Sequence, residues 1–368
     1  MADLQSLLPR ESTKLERVLE QAVGPGATID AGASLITNVK GRRPTDFLEA
    51  LIWEYGLTPL RAYVDDADTL IDEGRLWQIE RDTYAAVYRG LGWLNSAGTI
   101  VPASWRRRWW NSFQIYFDAV PPADRPDLDN IEGVVKLSKA FRSDFRRGVS
   151  GYDVPALVFD NTRLDQAQFD DDSGVRLRPD GVKWSFGRPY EIEHSLTATE
   201  AAALGLIYPL AAPGTPATWA DYDLPWSAAQ VTWNADRPTV QRAVNGYRLA
   251  QKVYHVALYD AADQVIGYRR ARLARQVTLA AAGPYAFDGE RLALSATGES
   301  FFIEALTGFG DGAGKVAASA SVISGATGPA SLWLSAGELT GGVEVAKAPV
   351  AIELRETVRE RVSFLLNF

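Results

Sequence analysis

The chain has 368 residues, of which 46% are hydrophobic and 23% charged, with a net charge of -8 at pH 7, and this length suits two or three packed domains. The absence of cysteine excludes disulfides and thiolate metal sites, and the acidic balance argues against a general nucleic-acid binder. No apolar run approaches the ~20 residues that span a bilayer, and the first residues do not resemble a secretory signal.

The first predicted element is an amphipathic helix near the start of the chain. Thr13 and Glu16 fit a capping box, in which each side chain satisfies a backbone amide at the helix start. Leu15, Val18 and Leu19 then share one face of the helix. A Gly-Pro-Gly run ends it.

Two further helices are predicted after a polar loop over residues 27–44. Asp46 is the expected N-cap of the first, and Gly56 ends it. The second covers about residues 71–91. The apolar stripes expected to face a core are Phe47, Leu48, Leu51, Ile52 and Tyr55 in one helix and Leu76, Ile79, Thr83, Val87 and Leu91 in the other.

A strand, a helix and a second strand are predicted next. Residues 112–118 alternate in polarity, residues 128–146 have helical periodicity, and residues 154–159 form another short apolar run. The expected buried side of this helix is Ile131, Val134, Val135, Ser138, Phe141 and Phe145. This order suggests a small α/β lobe packed on the first helices.

Strands dominate the predicted structure after residue 160. Thr197 and Glu200 fit a second capping box, for a helix that ends near Ile207. A hairpin is predicted from residues 247–259 and 264–279, with its turn at Asp260–Asp263. Further strands are predicted at 292–295, 301–306, 316–323, 332–334 and 350–354.

The predicted fold class is therefore α+β: a helix-rich N-terminal α/β domain followed by a mainly antiparallel, sandwich-like C-terminal region. The expected domains are residues 1–160, a connecting α/β segment over 161–238, and a β-rich peripheral domain over 239–368. Five prolines make residues 209–238 the expected linker.

We predict no catalytic, cofactor-binding or metal-binding residues. On a strand, Glu191 and Glu193 would share a face while His194 points away. The acidic run Asp170–Asp172 lacks the spaced ligands of a calcium loop and indicates a solvated turn. The Gly-rich run Gly308–Val316 lacks the first glycine and the Ser/Thr of a phosphate-binding loop, and indicates a hairpin loop.

The run Trp105–Trp110 is the most unusual local pattern, since three arginines lie between tryptophans. Such a run is typical of a partner interface, or of a strand entry with a tryptophan in the core. The predicted helix near residue 13 likewise either joins a partner's helices or packs on its own domain. The candidate interface residues are Leu15, Val18, Leu19, Trp105, Arg107, Trp109 and Trp110.

Tryptophans in the second half of the chain leave another function open. Trp219, Trp226 and Trp233 can stack on sugars if they lie at the surface. The alternative function is therefore a carbohydrate-binding module or a glycosidase.

Segments of the first 160 residues occur in a distinctive order. Leu7–Arg17 joins a Leu-Leu-Pro start to a Leu-Glu-Arg helix, and Leu48–Glu54 is an apolar helix with a tryptophan. Trp109–Phe117 is a Trp-Trp strand, followed by Lys139–Ser143 of the form Lys-x-x-Arg-Ser. In this order the segments resemble the phage tail protein I family, over roughly residues 4–160.

The resemblance implies a non-enzymatic structural subunit of the baseplate wedge of a contractile phage tail, or of a related injection particle. The implied partners are larger wedge subunits and tail fibre, spike or hub proteins, with no nucleic acid and no membrane span. The implied location is the virion baseplate, after assembly in the host cytoplasm. The N-terminal domain would anchor the subunit, and the β-rich part would dock a peripheral component or fibre.

Overall fold

The computed structural model describes residues 8–23, 32–34, 39–102, 110–153 and 172–368. The chain divides into two compact units. The first contains the chain up to Asn95 together with Gly133–Phe141, and the second contains Ser96–Glu132 and Arg142–Phe368. Among the described residues, no helix is both long and apolar enough to cross a membrane. The predicted domain boundary at residue 160 lies outside the described residues, so the three-part division stays a prediction.

Short helices build the first unit. They are α1 (Lys14–Val23), α2 (Val39–Arg42), α3 (Leu48–Glu54), α4 (Ala67–Glu80), α5 (Tyr84–Trp93) and the second half of α6 (Asp127–Ser138). The buried apolar core of this unit is Leu51, Ile52, Leu57, Leu60, Val64, Leu70, Ile71, Trp77 and Ala86. Fully burying one large side chain of this kind stabilises the fold by about 1.5–3 kcal/mol, so this core holds α3, α4 and α5 together.

The helix predicted over residues 71–91 is in fact two helices. Asp82 has a left-handed φ of 68° between α4 and α5, and the Thr83 side chain caps α5 by accepting a backbone hydrogen bond. The break changes which face is buried. Leu76 and Ile79, expected in the core, are 46% and 82% exposed. In their place α4 buries Leu70, Ile71, Gly74 and Trp77.

Two boundaries before this helix also differ from the prediction. The expected loop over residues 27–44 contains the short helix α2. Asp46 does not cap α3, because it lies inside a 3-10 turn, Thr45–Phe47, that precedes the helix. Pro44 comes directly before this turn with φ of -57°, and its restricted backbone starts the turn too early for Asp46 to act as a cap. Phe47 is consequently exposed.

Helix α6 ends at Ser138 rather than near residue 146. The Asn111 side chain donates a hydrogen bond to the Arg142 carbonyl at 2.7 Å, and the Asp144 amide donates to the Asn111 carbonyl at 3.0 Å. These bonds draw the chain into a strand, so Phe145 is a strand residue. Phe141, predicted to be buried, is 97% exposed.

Two β-sheets form the second unit. In the described residues, the first sheet contains ten strands in the order β1-β2-β3-β5-β15-β11-β8-β10-β9, with β4 paired to β5. These strands are β1 (Gly98–Pro102), β2 (Ser112–Phe117), β3 (Asp144–Ser150), β4 (Val175–Arg176), β5 (Lys183–Ser195), β8 (Leu273–Leu279), β9 (Tyr285–Phe287), β10 (Glu290–Leu294), β11 (Ser300–Leu306) and β15 (Val358–Asn367). The strands β2, β3, β5 and β15 run parallel to one another, and the other pairs are antiparallel.

The second sheet is antiparallel throughout its described strands, in the order β13-β7-β6-β12-β14. Its strands are β6 (Tyr254–Tyr259), β7 (Val265–Arg270), β12 (Val316–Ser324), β13 (Trp333–Ser335) and β14 (Val343–Glu353). A shared core joins both sheets, with Phe301, Ile303 and Phe364 from the first and Val256 and Val322 from the second. The predicted α+β class with a sandwich-like second part is therefore confirmed.

The predicted strand-helix-strand order is confirmed, but with a different second strand. β2 and β3 are parallel and α6 lies between them in the chain. The strand predicted over 154–159 lies outside the described residues. The predicted hairpin is also shorter, because Tyr247 belongs to helix α8 (Arg237–Ala250) and β8 joins the first sheet.

Two predicted turns have other structures. Residues 307–315 do not close a hairpin, because they connect β11 of the first sheet to β12 of the second. The acidic turn at Asp170–Asp172 is described only from Asp172, which is 3% exposed and paired with Arg146. Its carboxylate is therefore buried, not solvated.

The second capping box is confirmed, and it makes stability sensitive to acid. Thr197 caps helix α7 (Ala198–Leu204) together with Glu200. Burial opposes ionisation of Glu200, but hydrogen bonds from the Ala346 amide, His194 and Thr197 outweigh it and lower its pKa from 4.5 to about 2. A carboxylate with a depressed folded-state pKa stabilises the fold above its unfolded pKa, and this stability is lost as pH falls.

We expect Glu200→Gln to remove about 2 kcal/mol of unfolding free energy at pH 7 and much less at pH 2–3. Urea unfolding from pH 7 to pH 2 measures this difference between the wild type and the variant. Glu16→Gln, in the exposed capping box of α1, is the matched control. Hydrogen bonds from Thr13 also lower the pKa of Glu16, but this carboxylate is exposed, so the acid dependence should change much less than for Glu200→Gln. A stability difference for Glu200→Gln that is the same at every pH would contradict the assignment.

Candidate partner interface

The predicted interface helix α1 is built by local interactions. The Thr13 amide donates to Glu16 Oε2 at 2.7 Å, and the Glu16 amide donates to Thr13 Oγ1 at 3.3 Å. Arg17 donates to Ser12 Oγ at 3.0 Å and to the Arg10 carbonyl at 2.7 Å. The helix start is thus specified by its own sequence, because the bonds close within seven residues.

The apolar face of α1 is open to solvent. Leu15 is 70% exposed, Val18 is 61% exposed and Leu19 is 50% exposed. Their i, i+3 and i+4 spacing puts all three on one face. An amphipathic helix normally buries this face against a core, so its exposure here is the feature expected of a helix that docks into a partner.

The predicted residues outside α1 are only partly described. Trp105, Arg107 and Trp109 lie outside the described residues. Trp110 is 69% exposed and comes just before β2, in the second unit. The assignment of these seven residues to a partner interface therefore stays a prediction.

A second exposed apolar surface was missed by the sequence analysis. Leu76 and Ile79 of α4 line an open hollow of about 590 Å³ together with Tyr55, Asp72, Arg75 and Gln78. The residues Leu70, Ile71, Gly74 and Trp77 repeat at helical spacing, and this stripe is the signal that could have placed Leu76 and Ile79 outside the core.

Polar contacts hold the walls of this hollow. The Arg75 guanidinium lies 5.3 Å from the Tyr55 ring centroid, and the Gln78 side chain donates to the Tyr55 carbonyl at 2.5 Å. A hydrogen bond from Arg43 lowers the pKa of Asp72. An apolar floor with a charged, already ordered rim suits protein docking.

The described titratable groups around His194 make structural contacts. His194 Nε2 lies 2.9 Å from Glu200 Oε2, and that carboxylate also caps a helix. Glu191 accepts from the Asp288 amide, and Glu193 accepts from Asn367. Among the described residues, no three His, Asp or Glu side chains group in a way that could hold a metal ion.

One buried cluster contains hydroxyls close to a carboxylate. Ser173 Oγ lies 2.8 Å from Asp153 Oδ1 and 2.8 Å from Ser185 Oγ. Asp153 is also ion-paired with Arg147 at 2.7 Å. Arg147 holds Asp153 in an ion pair, and in this cluster no histidine accepts from either hydroxyl, so the arrangement is that of a structural network.

Residues 8–142 match the family model described as Phage tail protein (Tail_P2_I). Over these residues the chain is similar to the phage tail protein I family. The matched residues contain α1 to α6, β1 and β2, so both exposed apolar surfaces of the first unit lie inside the phage tail protein I region. The match indicates a structural component of the phage tail. No curated protein sequence matches the chain.

Proposed function

We propose that this chain is a non-enzymatic subunit of the baseplate wedge of a contractile phage tail or a related injection particle. The observation that carries the proposal is the solvent-exposed apolar face of α1 inside the region that matches the tail protein family. A subunit that functions only after assembly is expected to leave such a face uncovered when alone.

In this proposal, α1 packs against helices of a larger wedge subunit. Leu15, Val18 and Leu19 are half or more exposed, so covering them gains about 1 kcal/mol each from burial. The capping box orders the helix start beforehand, which reduces the entropy lost on docking. The hollow beside Leu76 and Ile79 is a second place for a wedge partner to bind.

The C-terminal part has a separate role in the proposal. Two sheets with a common core make a rigid module, and this module docks a tail fibre, spike or other peripheral component. The proposed domains are residues 1–160 for the wedge anchor, 161–238 for the connection and 239–368 for the peripheral domain. Assembly takes place in the host cytoplasm, and the mature position is the virion baseplate.

The test is capture of the neighbouring tail proteins by tagged full-length protein after co-expression. We expect Leu19→Asp to reduce capture of the larger wedge subunit at least tenfold, because a charge in the centre of an apolar interface costs more than 1.4 kcal/mol. Lys14→Asp is the matched control, since it places the same carboxylate at a favourable helix N-terminus, at the edge of the apolar face and far from Leu19.

The melting temperature of the free protein distinguishes docking of α1 to a partner from packing of α1 on its own domain. Because Leu19 is half exposed, we expect the melting temperature of Leu19→Asp to stay within about 2 °C of the wild type. A much larger fall would mean that α1 packs on its own domain. Equal capture by the wild type and Leu19→Asp would contradict the proposed interface.

A further inference from the structure

Three aromatic rings cluster on the surface of the second unit. The ring centroids of Trp219 and Trp233 are 4.7 Å apart, those of Tyr222 and Trp233 are 5.1 Å apart, and those of Trp219 and Tyr222 are 6.4 Å apart. The three planes are tilted by 39–47° to one another. The side chain of Trp226 lies outside the described residues, so the cluster is defined here as Trp219, Tyr222 and Trp233.

The cluster is not a small core. Trp219 is 74% exposed and Trp233 is 55% exposed, although indoles that stabilise a fold are mostly buried. Two large aromatic side chains held together at the surface are a mark of a binding site. The exposed residues next to them in the chain are small or polar: Thr218, Thr232 and Asn234.

The segment that carries the rings is held in place by polar contacts. An isolated bridge between Pro216 and Asp236 closes it at its base. The Thr218 amide donates to Asp221 Oδ2 at 2.8 Å, and Arg237 donates to Asp221 Oδ1 at 2.8 Å. The Tyr222 hydroxyl donates to the Thr232 carbonyl at 3.2 Å and so joins the two ends of the ring cluster. A platform that is ordered before binding loses little entropy when a ligand arrives.

The charged side chains near the rings indicate which class of ligand the cluster favours. Asp221 is paired with Arg237, and Asp223 is paired with Arg248. Each pair is neutral overall, so the surroundings favour an uncharged ligand with many hydroxyls. A pyranose has this character, because its C–H face can lie on the negative face of an aromatic ring while its hydroxyls stay at the polar rim. A protein partner would instead be expected to need a wider apolar patch.

We propose that Trp219, Tyr222 and Trp233 form a binding site for neutral saccharide units. The proposal is independent of the wedge role, since these residues lie outside the region that matches the tail protein family.

Isothermal titration of the full-length protein with maltoheptaose, cellohexaose and mannohexaose tests the site. We expect saturable binding of at least one of the three, weakened about tenfold by Trp219→Ala and by Trp233→Ala. Trp219→Tyr keeps an aromatic face and should retain most of the affinity. Trp53→Ala is the matched control, since Trp53 is 78% exposed but lies in the first unit.

Three results would overturn the proposal. The first is the absence of binding to all three oligosaccharides by folded wild-type protein. The second is binding that survives the Trp219→Ala/Trp233→Ala double substitution. The third is an equal loss of affinity in Trp53→Ala. Capture of a tail protein that Trp219→Ala abolishes, without saccharide binding, would assign the cluster to a protein interface.

Discussion

Substitution of Trp184 by alanine is expected to lower the free energy of unfolding by about 3–5 kcal/mol, because it opens a cavity in a packed aromatic core. Trp184 is 1% exposed. Its ring centroid lies 5.9 Å from that of Phe145, 6.1 Å from that of Phe117 and 5.8 Å from that of Phe186. These residues come from the three adjacent parallel strands β2, β3 and β5, so the indole holds this part of the first sheet together.

Urea unfolding followed by circular dichroism measures this effect. Trp53→Ala removes the same side chain at a position that is 78% exposed, and is expected to change stability by less than about 0.5 kcal/mol. A substitution that adds a Cβ at Gly148 is a second test of this aromatic packing, since that Cβ would lie 2.4 Å from the Trp184 ring. Equal destabilisation by Trp184→Ala and Trp53→Ala would show that the aromatic core is not the stabilising feature.

Asp172→Asn is expected to cost about 3–5 kcal/mol, because it leaves a buried guanidinium without its countercharge. The Asp172 side chain is 3% exposed, and it pairs with Arg146, whose side chain is 7% exposed. Arg147 also lies within 4.0 Å of the same carboxylate. Asparagine keeps the shape of the side chain, so the loss of unfolding free energy measures the effect of removing the charge and not a change in packing.

Asp223→Asn is the matched control for this loss. Asp223 also pairs with an arginine, Arg248, but its side chain is 70% exposed, and exposed pairs contribute only ~0–1 kcal/mol. The double substitution Arg146→Met/Asp172→Leu should recover part of the lost stability, because it removes both buried charges together. If the two asparagine variants unfold at the same urea concentration, the buried pair has no special role.

Buried ion pairs also connect strand β3 to residues that lie further along the chain. Arg146 and Arg147 are neighbours on β3, and they pair with Asp172 and Asp153 respectively. These aspartates lie on either side of residues 154–171 in the chain. Two consecutive arginines thus hold the chain on both sides of that segment against one strand.

Local sequence patterns predicted the structure correctly where it depends on interactions between residues close together in the chain. Both capping boxes form as predicted, at Thr13–Glu16 and at Thr197–Glu200, because their partners are three residues apart. The strands β11 and β12 were also predicted, because each is a short stretch rich in apolar residues that is bounded by Gly-containing turns. Among the candidate interface residues, Leu15, Val18 and Leu19 share an exposed face of α1, as helical periodicity predicted.

The predictions from sequence were wrong where a contact between residues far apart in the chain outweighs the local pattern. Residues 128–146 are periodic enough for one helix, but Asn111 binds the backbone beyond Ser138 and turns the chain into β3. The sequence predicted Trp219 and Trp233 as separate surface tryptophans. No local pattern shows that their rings come into contact. Asp172 was expected in a solvated turn, and its buried partner Arg146 is 26 residues away.

The sequence by itself determined the α+β class, the tail protein I resemblance and the start of the two helices with capping boxes, because these depend on periodicity and short-range hydrogen bonds. Only the tertiary structure decided which face of α4 is buried, which sheet each strand joins and where the three aromatic rings gather. Those outcomes depend on contacts between residues far apart in the chain, and the free energy of such contacts is not present in any local window of sequence.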